Sequence, residues 1–536
     1  DRACASRLLP GSEPGTVSLN FRRFPKSKTG RMKLPFPLLS AAAIAALVLV
    51  VATPLTGGGA ESPTPSGPQA DGPFRKIILD ADHAPQEGGA VEDTIVDPME
   101  LAVAKDGRVF WAERAGLVKM WRPSDKKTVV VGKFGVFAGL EDGLLGMTLD
   151  PHFDRNHWVY LNRSLPDTAT DAQGKKSGII RVSRFTLAGE ALDPASETPI
   201  IDVPTQREQC CHVGGSIAFD GRGNLYMSIG DNTNPFESDG YSPVDERDGR
   251  SPWDAQKSAS NANDLRGKVL RITPKPGGGY TIPEGNLFKP GTPGTRPEIY
   301  VMGCRNPFRI ALDQKTGFLY WGDVGPDAGG MNEIRGPAGH DEVNQARKAG
   351  NFGWPYFVGE NKAYWHWDFV KKTNDFKHDP AHPVNHSPNN TGITDLPPAQ
   401  PAWISYPAGQ SAKFPVLNAG GGRTAMAGPT YYFDEKLKSP HKLPKEFDHT
   451  VFIYEWSRNW IIAVHLDESH NIAKGPDGKM RMERFCPNMT FKRPMDMELG
   501  ADGCLYLIEY GTAWGNNKDT QIIRIEYHGE AGHASN

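Results

Sequence analysis

One β-hairpin pattern recurs along this chain and constrains its fold more than any other feature. Each copy alternates apolar and polar residues, turns at an Asp/Gly pair and continues as a second apolar-aromatic strand. The copies are LAVAKDGRVFWAERAG (101–116), LGMTLDPHFDRNHWVYLNRS (145–164), GSIAFDGRGNLYMSIGD (215–231), RIALDQKTGFLYWGDVG (309–325), DMELGADGCLYLIEYG (496–511) and a looser copy over 433–460. Six copies of one hairpin predict an all-β, six-bladed β-propeller with four-stranded blades.

The segments between the copies supply the other strands that such blades need. The further strand candidates are 177–187, 266–274, 460–467 and 522–528. Strong helical periodicity is absent, and the content of 59 Gly and 45 Pro fits many strands joined by turns. A pair of β-sandwiches would also be all-β, but it would not explain six copies of one hairpin. We therefore predict a propeller over 75–530, closed by the C-terminal strand at 522–528.

The copies are unevenly spaced because two long segments separate them. Residues 232–264 are polar and acidic, and residues 356–412 are rich in Pro, His, Asn and Trp. We expect both to be long loop insertions on one face, where propellers usually carry function.

The N-terminal region has the composition of a targeting segment. Residues 1–31 precede the first methionine, Met32, and are interpreted as a leader or a start placed too far upstream. The apolar stretch 34–52 predicts a signal peptide over 32–56, with an N-terminal membrane anchor as the alternative. Residues 57–74 are predicted to be a flexible linker. We therefore expect an exported protein, periplasmic or extracellular, and the net charge of −3 implies no nucleic-acid partner.

Cysteine usage leaves several arrangements open. Cys4 lies in the leader, and five other cysteines follow it. Adjacent Cys210 and Cys211 could close a vicinal disulfide, while Cys486 and Cys504 could pair across strands and leave Cys304 free. The alternative is that all of these thiols are reduced and buried.

His212 and Asp231 flank the third hairpin and are the first candidates for chemistry. His212 precedes the hairpin and Asp231 follows its second strand, so both can lie at one end of it. A neutral imidazole can accept a proton near neutral pH, and a carboxylate can hold its tautomer. A hydrogen-bonded structural histidine beside a turn is the alternative.

Cations and a Gly-Pro turn form the other candidate groups. Guanidinium groups pair with carboxylates, and the turn Gly325-Pro326 can offer carbonyl oxygens to a hard cation such as Ca²⁺, with the Asp341-Glu342 carboxylates nearby. The cationic pairs Arg305-Asn306, Arg458-Asn459 and Lys492-Arg493 each lie near the start of a predicted inner strand or in the loop beside it. Surface salt bridges and an ordinary turn are the alternatives. No C-x-x-C-H, P-loop, G-x-S-x-G, H-E-x-x-H or G-x-G-x-x-G pattern indicates another chemistry.

Taken in order, these motifs resemble the glucose/sorbosone dehydrogenases, soluble quinoproteins that use pyrroloquinoline quinone (PQQ) and Ca²⁺ on a six-bladed propeller. The resemblance covers roughly 95–528. It rests on EDGLLGMTLDP (141–151), CHVGGSIAFDGRGNLYMSIGD (211–231), GCRNPFRIALD (303–313), GDVGPDAG (322–329), DEVNQARKAGNFGWP (341–355) and RPMDMELGADGCLYL (493–507).

The resemblance implies a role for each matched residue. His212 would take the proton of the sugar C1 hydroxyl, and Asp231 would orient that imidazole. Arg305 and Asn306 would contact the quinone, with Arg305 also serving catalysis. The metal residues would be Gly325 and Pro326 as carbonyl ligands of the catalytic Ca²⁺, and Asp341 and Glu342 at a structural Ca²⁺ site.

The remaining cofactor contacts depart from the family pattern. Arg493 matches a cation that grips a PQQ carboxylate, but Met495 stands where a second arginine is expected. Ser457 occupies a usual lysine position, followed by Arg458, and Glu141 replaces a glutamine that contacts PQQ. Cys211 stands where an aspartate precedes the base in the best-known members, and a Cys210–Cys211 disulfide would offer the quinone a flat surface, by analogy with unrelated quinoprotein alcohol dehydrogenases.

The function implied by the resemblance is a PQQ- and Ca²⁺-dependent sugar dehydrogenase. Its partners would be a small sugar substrate and an external electron acceptor such as a cytochrome. A non-catalytic propeller that serves as a binding module is the first alternative, as the hedgehog-interacting relatives of the family suggest. A Ca²⁺-dependent lactonase-like hydrolase is the second.

Overall fold

The computed structural model describes residues 69–83, 94–419, 421–513, 515 and 517–529. The predicted leader (1–31), the predicted signal peptide or anchor (32–56) and the linker up to residue 68 lie outside the described residues. Among the described residues, no helix is both long and apolar enough to cross a membrane.

Six antiparallel sheets follow one another along the described chain, each with four principal strands. We number these sheets as blades 1 to 6, with the inner strand first. Blade 1 contains Pro98–Val103, Val109–Glu113, Leu117–Arg122 and Lys127–Lys133; blade 2 contains Leu144–Leu149, Trp158–Ser164, Lys176–Ala188 and Ala191–Gln206, with Ala169–Thr170 beside it; blade 3 contains Gly214–Phe219, Leu225–Ile229, Lys268–Pro274 and Ile299–Met302, with Tyr280–Thr281 and Gly350–Asn351 beside it. Blade 4 contains Pro307–Leu312, Leu319–Asp323, His340–Ala346 and Ile404–Pro407; blade 5 contains Ala425–Tyr431, Thr450–Glu455, Trp460–His465 and Met482–Arg484; blade 6 contains Pro494–Leu499, Leu505–Glu509, Gln521–Tyr527 and Phe74–Ala81.

The inner strands form a closed ring around a central channel. Each inner strand contacts the inner strands of the two neighbouring blades, and that of blade 6 contacts that of blade 1. The second strands, such as Val109–Glu113 and Leu225–Ile229, are buried along their whole length because adjacent blades cover both faces of each sheet. The predicted all-β fold with six four-stranded blades is confirmed.

Blade 6 is built from both ends of the folded region. Phe74–Ala81 pairs antiparallel with Gln521–Tyr527 and is the fourth strand of the blade. The C-terminal strand predicted to close the ring is the third strand of this blade, and the N-terminal strand completes it. The fold also begins earlier than 75, since Ala70–Asp71 pairs with Phe74 and Arg75 inside the predicted linker.

Two further predictions about the strands need correction. In blade 5 the inner strand is Ala425–Tyr431, which precedes the looser copy at 433–460. A connection of unusual length separates it from the second strand at Thr450–Glu455 and obscures the hairpin pattern. The predicted loop 356–412 contains the outer strand of blade 4, Ile404–Pro407, as well as two small hairpins.

The two insertions pack against each other. Residues 232–264 carry two short 3₁₀ turns, and residues 356–412 carry the small hairpins. The buried carboxylate of Asp254 accepts hydrogen bonds from Ser387 Oγ at 2.6 Å and Asn389 Nδ2 at 2.9 Å. The minor elements are the hairpins Phe357–Val358 with Lys362–Ala363 and Trp365–Asp368 with Thr373–Lys377, the helix Phe153–Asn156, and the 3₁₀ turns Ser251–Trp253, Ala255–Lys257, Pro415–Leu417 and Lys445–Phe447.

Candidate active site

The predicted site residues meet at one end of the ring. In an antiparallel hairpin, the residue before the first strand and the residue after the second strand lie at the same end. His212 precedes the inner strand of blade 3, and Arg305 precedes that of blade 4. Asp231 and Gly325 follow the second strands of these two blades. The backbone amide of Asp231 donates to the carbonyl of Arg305 at 2.8 Å, which joins the two hairpin ends.

His212 and Asp231 form a buried pair. The His212 Nδ1 to Asp231 Oδ1 distance is 2.7 Å, and the two residues are 4% and 0% exposed. Asp231 also accepts hydrogen bonds from the Thr233 amide at 3.0 Å and from the Trp354 indole Nε1 at 2.7 Å. With Nδ1 donating to the carboxylate, His212 Nε2 is the nitrogen left to accept a proton. No described residue makes a hydrogen bond to Nε2.

The segment before His212 is constrained on two sides. His212 has φ 58°, an uncommon conformation for a residue other than glycine. Its amide donates to Glu141 Oε2 at 2.6 Å, so the carboxylate of Glu141 is directed at this backbone group. Cys210 and Cys211 are joined as a vicinal disulfide immediately before it.

The other three cysteines of the described residues form no disulfide. Cys304, Cys486 and Cys504 are buried free thiols, so of the arrangements left open by the sequence, the Cys486–Cys504 pairing is not the one observed. Cys504 lies in the turn of the blade 6 hairpin, with its thiol 3.2 Å from the His441 carbonyl. Cys486 follows the outer strand of blade 5, and Lys76 and Asp71 lie near it. Burial raises the pKa of both thiols.

Asp323 anchors the segment that carries Arg305 and Asn306. Its two carboxylate oxygens accept the Arg305 amide at 3.2 Å and the Asn306 amide at 2.7 Å. Asn306 in turn accepts the Gly214 amide at 3.0 Å, which ties blade 4 to blade 3. Burial raises the pKa of Asp323 to about 7, although these amides act in the opposite direction.

The Arg305 guanidinium lines a small cavity together with Gly325, Pro326 and Trp354. It is 6% exposed, and NH1 donates to the Val324 carbonyl at 2.8 Å. Its buried Nε has no hydrogen-bond partner among the described residues. A buried guanidinium with an unsatisfied N–H is expected to bind an anionic group, because an unpaired buried donor costs free energy.

The Gly325-Pro326 turn is packed tightly against blade 4. A Cβ atom on Gly325 would lie 1.7 Å from the His340 carbonyl oxygen, so only glycine fits. The Gly325 amide donates to Asp341 Oδ1 at 3.1 Å. The Pro326 carbonyl accepts a hydrogen bond from Arg423 NH2 at 2.7 Å, which uses one of its two lone pairs.

The predicted metal pair Asp341-Glu342 does not converge on one point. The two residues are adjacent on a strand, so their side chains project to opposite faces of the sheet. Asp341 accepts the amides of Gly325 and Ala425. Glu342 accepts the Gly359 amide at 2.5 Å, and burial, together with nearby Asp323, raises its pKa to about 8. Both carboxylates thus serve the protein scaffold.

The other two arginines predicted to contact the cofactor, Arg458 and Arg493, differ in whether a ligand could reach them. Arg458 is not available to a ligand, because its guanidinium donates to the backbone carbonyls of Gly422, Leu417, Pro407 and Ala408. Arg493 lies directly before the inner strand of blade 6, half-buried, with its guanidinium 4.1 Å from the centre of the Trp456 ring. Its neighbour Lys492 forms an ion pair with Asp519 at 3.1 Å.

Sequence reasoning missed two residues of this site, Trp354 and Arg423. Trp354 lies within the quoted GNFGWP segment, but nothing in the pattern places its indole against Asp231. Arg423 closely precedes the inner strand of blade 5 at Ala425, as His212 and Arg305 do in their blades. Its NH1 is buried and has no hydrogen-bond partner among the described residues. A correct assignment of the blade 5 inner strand would have identified it.

Comparison with known proteins agrees with the resemblance found in the sequence. The sequence profile of the family described as glucose/sorbosone dehydrogenase matches residues 95–394, more than half of the chain. The chain belongs to this family. The resemblance noted in the sequence is thereby confirmed.

Two curated relatives and one solved structure illustrate the similarity. Aldose sugar dehydrogenase YliI of Escherichia coli (strain K12) is 26% identical over 270 residues, 49% of this chain and 60% of that protein. Quinoprotein glucose dehydrogenase B of Acinetobacter calcoaceticus is 24% identical over 267 residues, 49% of this chain and 51% of that protein. The alignments thus span little more than half the length of these relatives. The PQQ-bound aldose sugar dehydrogenase from Streptomyces coelicolor shares the fold, with a TM-score of 0.51 and 17% identity over 86% of this chain and 99% of that chain.

Proposed function

We propose that this chain is an exported, PQQ- and Ca²⁺-dependent dehydrogenase of aldose-type or sorbosone-type sugars, with His212 as the general base. The family membership supports a sugar dehydrogenase, and the names of the Acinetobacter and Streptomyces proteins support PQQ. The observation that carries the proposal is the buried His212–Asp231 pair, in which Nδ1 is fixed and Nε2 is left to accept a proton.

The proposed reaction removes two electrons from the sugar. His212 Nε2 accepts the proton of the C1 hydroxyl while the C1 hydrogen leaves as a hydride, and the ring sugar becomes a lactone. When bound, PQQ supplies the acceptor for the hydride and Ca²⁺ the Lewis acid that polarises it. Asp231 stabilises the imidazolium that forms, and Trp354 holds Asp231 in place.

The residues of the site fit an anionic cofactor with a hard cation. Arg305 Nε and Arg423 NH1 are buried donors with no partner among the described residues, and both suit the carboxylates of PQQ. Gly325 offers a carbonyl oxygen and Pro326 offers its second lone pair to Ca²⁺. Glu141 is directed at the His212 amide, which offsets part of its negative charge.

Electron transfer and location complete the proposal. Electrons would pass from the reduced cofactor to a separate acceptor such as a cytochrome, because this sequence contains no C-x-x-C-H haem motif. Export through 32–56, or anchoring through 34–52, would place the enzyme where sugars from the medium reach it.

Reconstitution of the apoprotein tests this function. PQQ and Ca²⁺ are added, binding is followed by absorbance titration, and a series of aldoses is assayed with a dye acceptor. We expect saturable PQQ binding and PQQ-dependent sugar oxidation. For the variant His212→Ala, a matched control is His152→Ala. His152 is an exposed histidine in the turn of the blade 2 hairpin, at the end of the ring opposite to the candidate site.

A binding module is the second candidate function. It is favoured by Arg458, whose guanidinium is engaged with backbone carbonyls, and by Met495, which is a buried apolar residue where a cation was expected. If the wild type neither binds PQQ nor oxidises any aldose, the catalytic proposal is refuted and this alternative stands.

A further inference from the structure

A cluster of two histidines and one glutamate lies away from the candidate active site. Glu526 is the penultimate residue of Gln521–Tyr527 in blade 6, and His528 follows that strand. Because side chains alternate along a strand, these two residues project to the same side. His441 comes from the long connection in blade 5, and its carbonyl accepts the Tyr527 amide at 3.1 Å. The cluster therefore bridges two blades.

The three side chains have metal-ligand spacing. One ligand atom from each residue lies within 4.8 Å of the others. His528 Nε2 is 2.8 Å and His441 Nε2 is 3.9 Å from Glu526 Oε2, and the imidazole rings stack with centroids 4.2 Å apart. Ligands of a tetrahedral zinc ion lie about 3.3 Å apart, from Zn–N bonds of about 2.0–2.1 Å. Binding an ion would therefore move His528 Nε2 slightly away from Glu526 Oε2 and bring His441 Nε2 closer to it.

Hydrogen bonds orient the side chains of the cluster. His441 Nδ1 lies 3.3 Å from the Tyr527 carbonyl, so it donates there and Nε2 is the ring nitrogen that faces Glu526. Such a hydrogen bond to a backbone carbonyl is the usual support of a metal-bound histidine. Arg524 binds the other oxygen of Glu526, Oε1, and leaves Oε2 to the histidines.

The Glu526 carboxylate is hydrogen-bonded to His528 Nε2 and to Arg524, so a bound Zn²⁺ would take the place of the proton that Glu526 shares with His528. His441 Nε2 and Glu526 Oε2 face each other at 3.9 Å, a separation that a shared cation can bridge.

We propose that His441, Glu526 and His528 form a Zn²⁺ site that links blade 5 to blade 6. Two imidazoles and one carboxylate, with water as the fourth ligand, are a ligand set that zinc accepts. Ca²⁺ prefers all-oxygen sites, so this site is distinct from the one proposed at Gly325. Blade 6 contains both the first and the last strand of the propeller, and Zn²⁺ bound here stabilises the closed ring.

Zinc titration of untagged, chelator-treated full-length protein tests the site, without PQQ or sugar. We expect the wild type to bind one Zn²⁺ more than His528→Gln or Glu526→Gln in equilibrium dialysis. Zn²⁺ should also raise the melting temperature of the wild type by about 2–4 °C, because it binds the folded state. Ca²⁺ at the same concentration as Zn²⁺ should not raise the melting temperature.

The control is His382→Gln, an exposed histidine that pairs with Asp379 in the 356–412 insertion. It should retain the wild-type stoichiometry and temperature shift. His528 is exposed, so His528→Gln is expected to fold even if a change at His441 does not. Equal Zn²⁺ stoichiometry in the wild type and His528→Gln would overturn the proposal, whatever the outcome of the PQQ experiments.

Discussion

Trp354→Phe tests whether the indole positions the proposed catalytic pair, His212 and Asp231. The substitution keeps an aromatic ring but removes the N–H that donates to Asp231 Oδ2 at 2.7 Å. Asp231 is fully buried, so water cannot easily replace the lost donor. A hydrogen bond to a charged group contributes about 1.5–3 kcal/mol. If this loss falls on the transition state, kcat should decrease by roughly 10- to 150-fold, since each tenfold is about 1.4 kcal/mol.

The assay is dye-linked aldose oxidation after reconstitution, combined with urea unfolding and PQQ titration. The matched control is Trp321→Phe, because Trp321 is equally buried but its indole N–H has no hydrogen-bond partner among the described residues. We expect Trp354→Phe to lower kcat while PQQ affinity and KM change little. An equal decrease of kcat in the two variants would refute the positioning role, since loss of indole packing alone would then explain it.

Four further substitutions test the same site and channel. His212→Ala should lower turnover by roughly two to four orders of magnitude and leave PQQ binding nearly intact, as measured by dye-linked kinetics and absorbance titration. Arg305→Met should weaken PQQ binding by about tenfold or more in that titration, whereas Arg458→Met should lower the urea midpoint and spare PQQ affinity, because its donors serve backbone carbonyls. Burial raises the pKa of Glu100 above its ordinary value of 4.5, so the folded state binds the proton more tightly than the unfolded state does. The stability of the wild type should therefore fall as the pH rises above 4.5. Glu100→Gln should flatten this pH dependence, as measured by urea unfolding between about pH 5 and about pH 8.

The fold could be predicted because its strands carry strong local patterns. Four of the six hairpins join an alternating strand to a short Asp/Gly turn, and that of blade 2 turns through residues 150–157 without a glycine; the structure has an inner and a second strand at each of these five. Blade 5 could not be read in this way, since a long connection separates Ala425–Tyr431 from Thr450–Glu455. The pairing of Phe74–Ala81 with Gln521–Tyr527 joins opposite ends of the domain, and no local pattern encodes such a partner.

The candidate site could be predicted only where it follows from hairpin geometry. His212 and Asp231 flank one hairpin, so their proximity follows from the sequence. Trp354 belongs to the segment after blade 4, and its contact with Asp231 depends on tertiary packing. Arg458 and Arg423 are both arginines beside blade 5, and only the packing shows that the first binds backbone carbonyls while the second lies beside Gly325 and Pro326.

The geometry of the site depends on the whole ring of blades. His212 and Arg305 each precede an inner strand, so the distance between them is set by how neighbouring inner strands are held. Buried polar groups in the channel hold these strands: Ser216 of blade 3 donates to Glu100 of blade 1, and Arg309 of blade 4 donates to backbone carbonyls in blades 1 and 6. These groups are far from solvent, so breaking one leaves an unpaired buried partner. Substitutions in the channel should therefore both reduce stability and displace the proposed catalytic pair, whereas Zn²⁺ bound by His441, Glu526 and His528 should change stability alone.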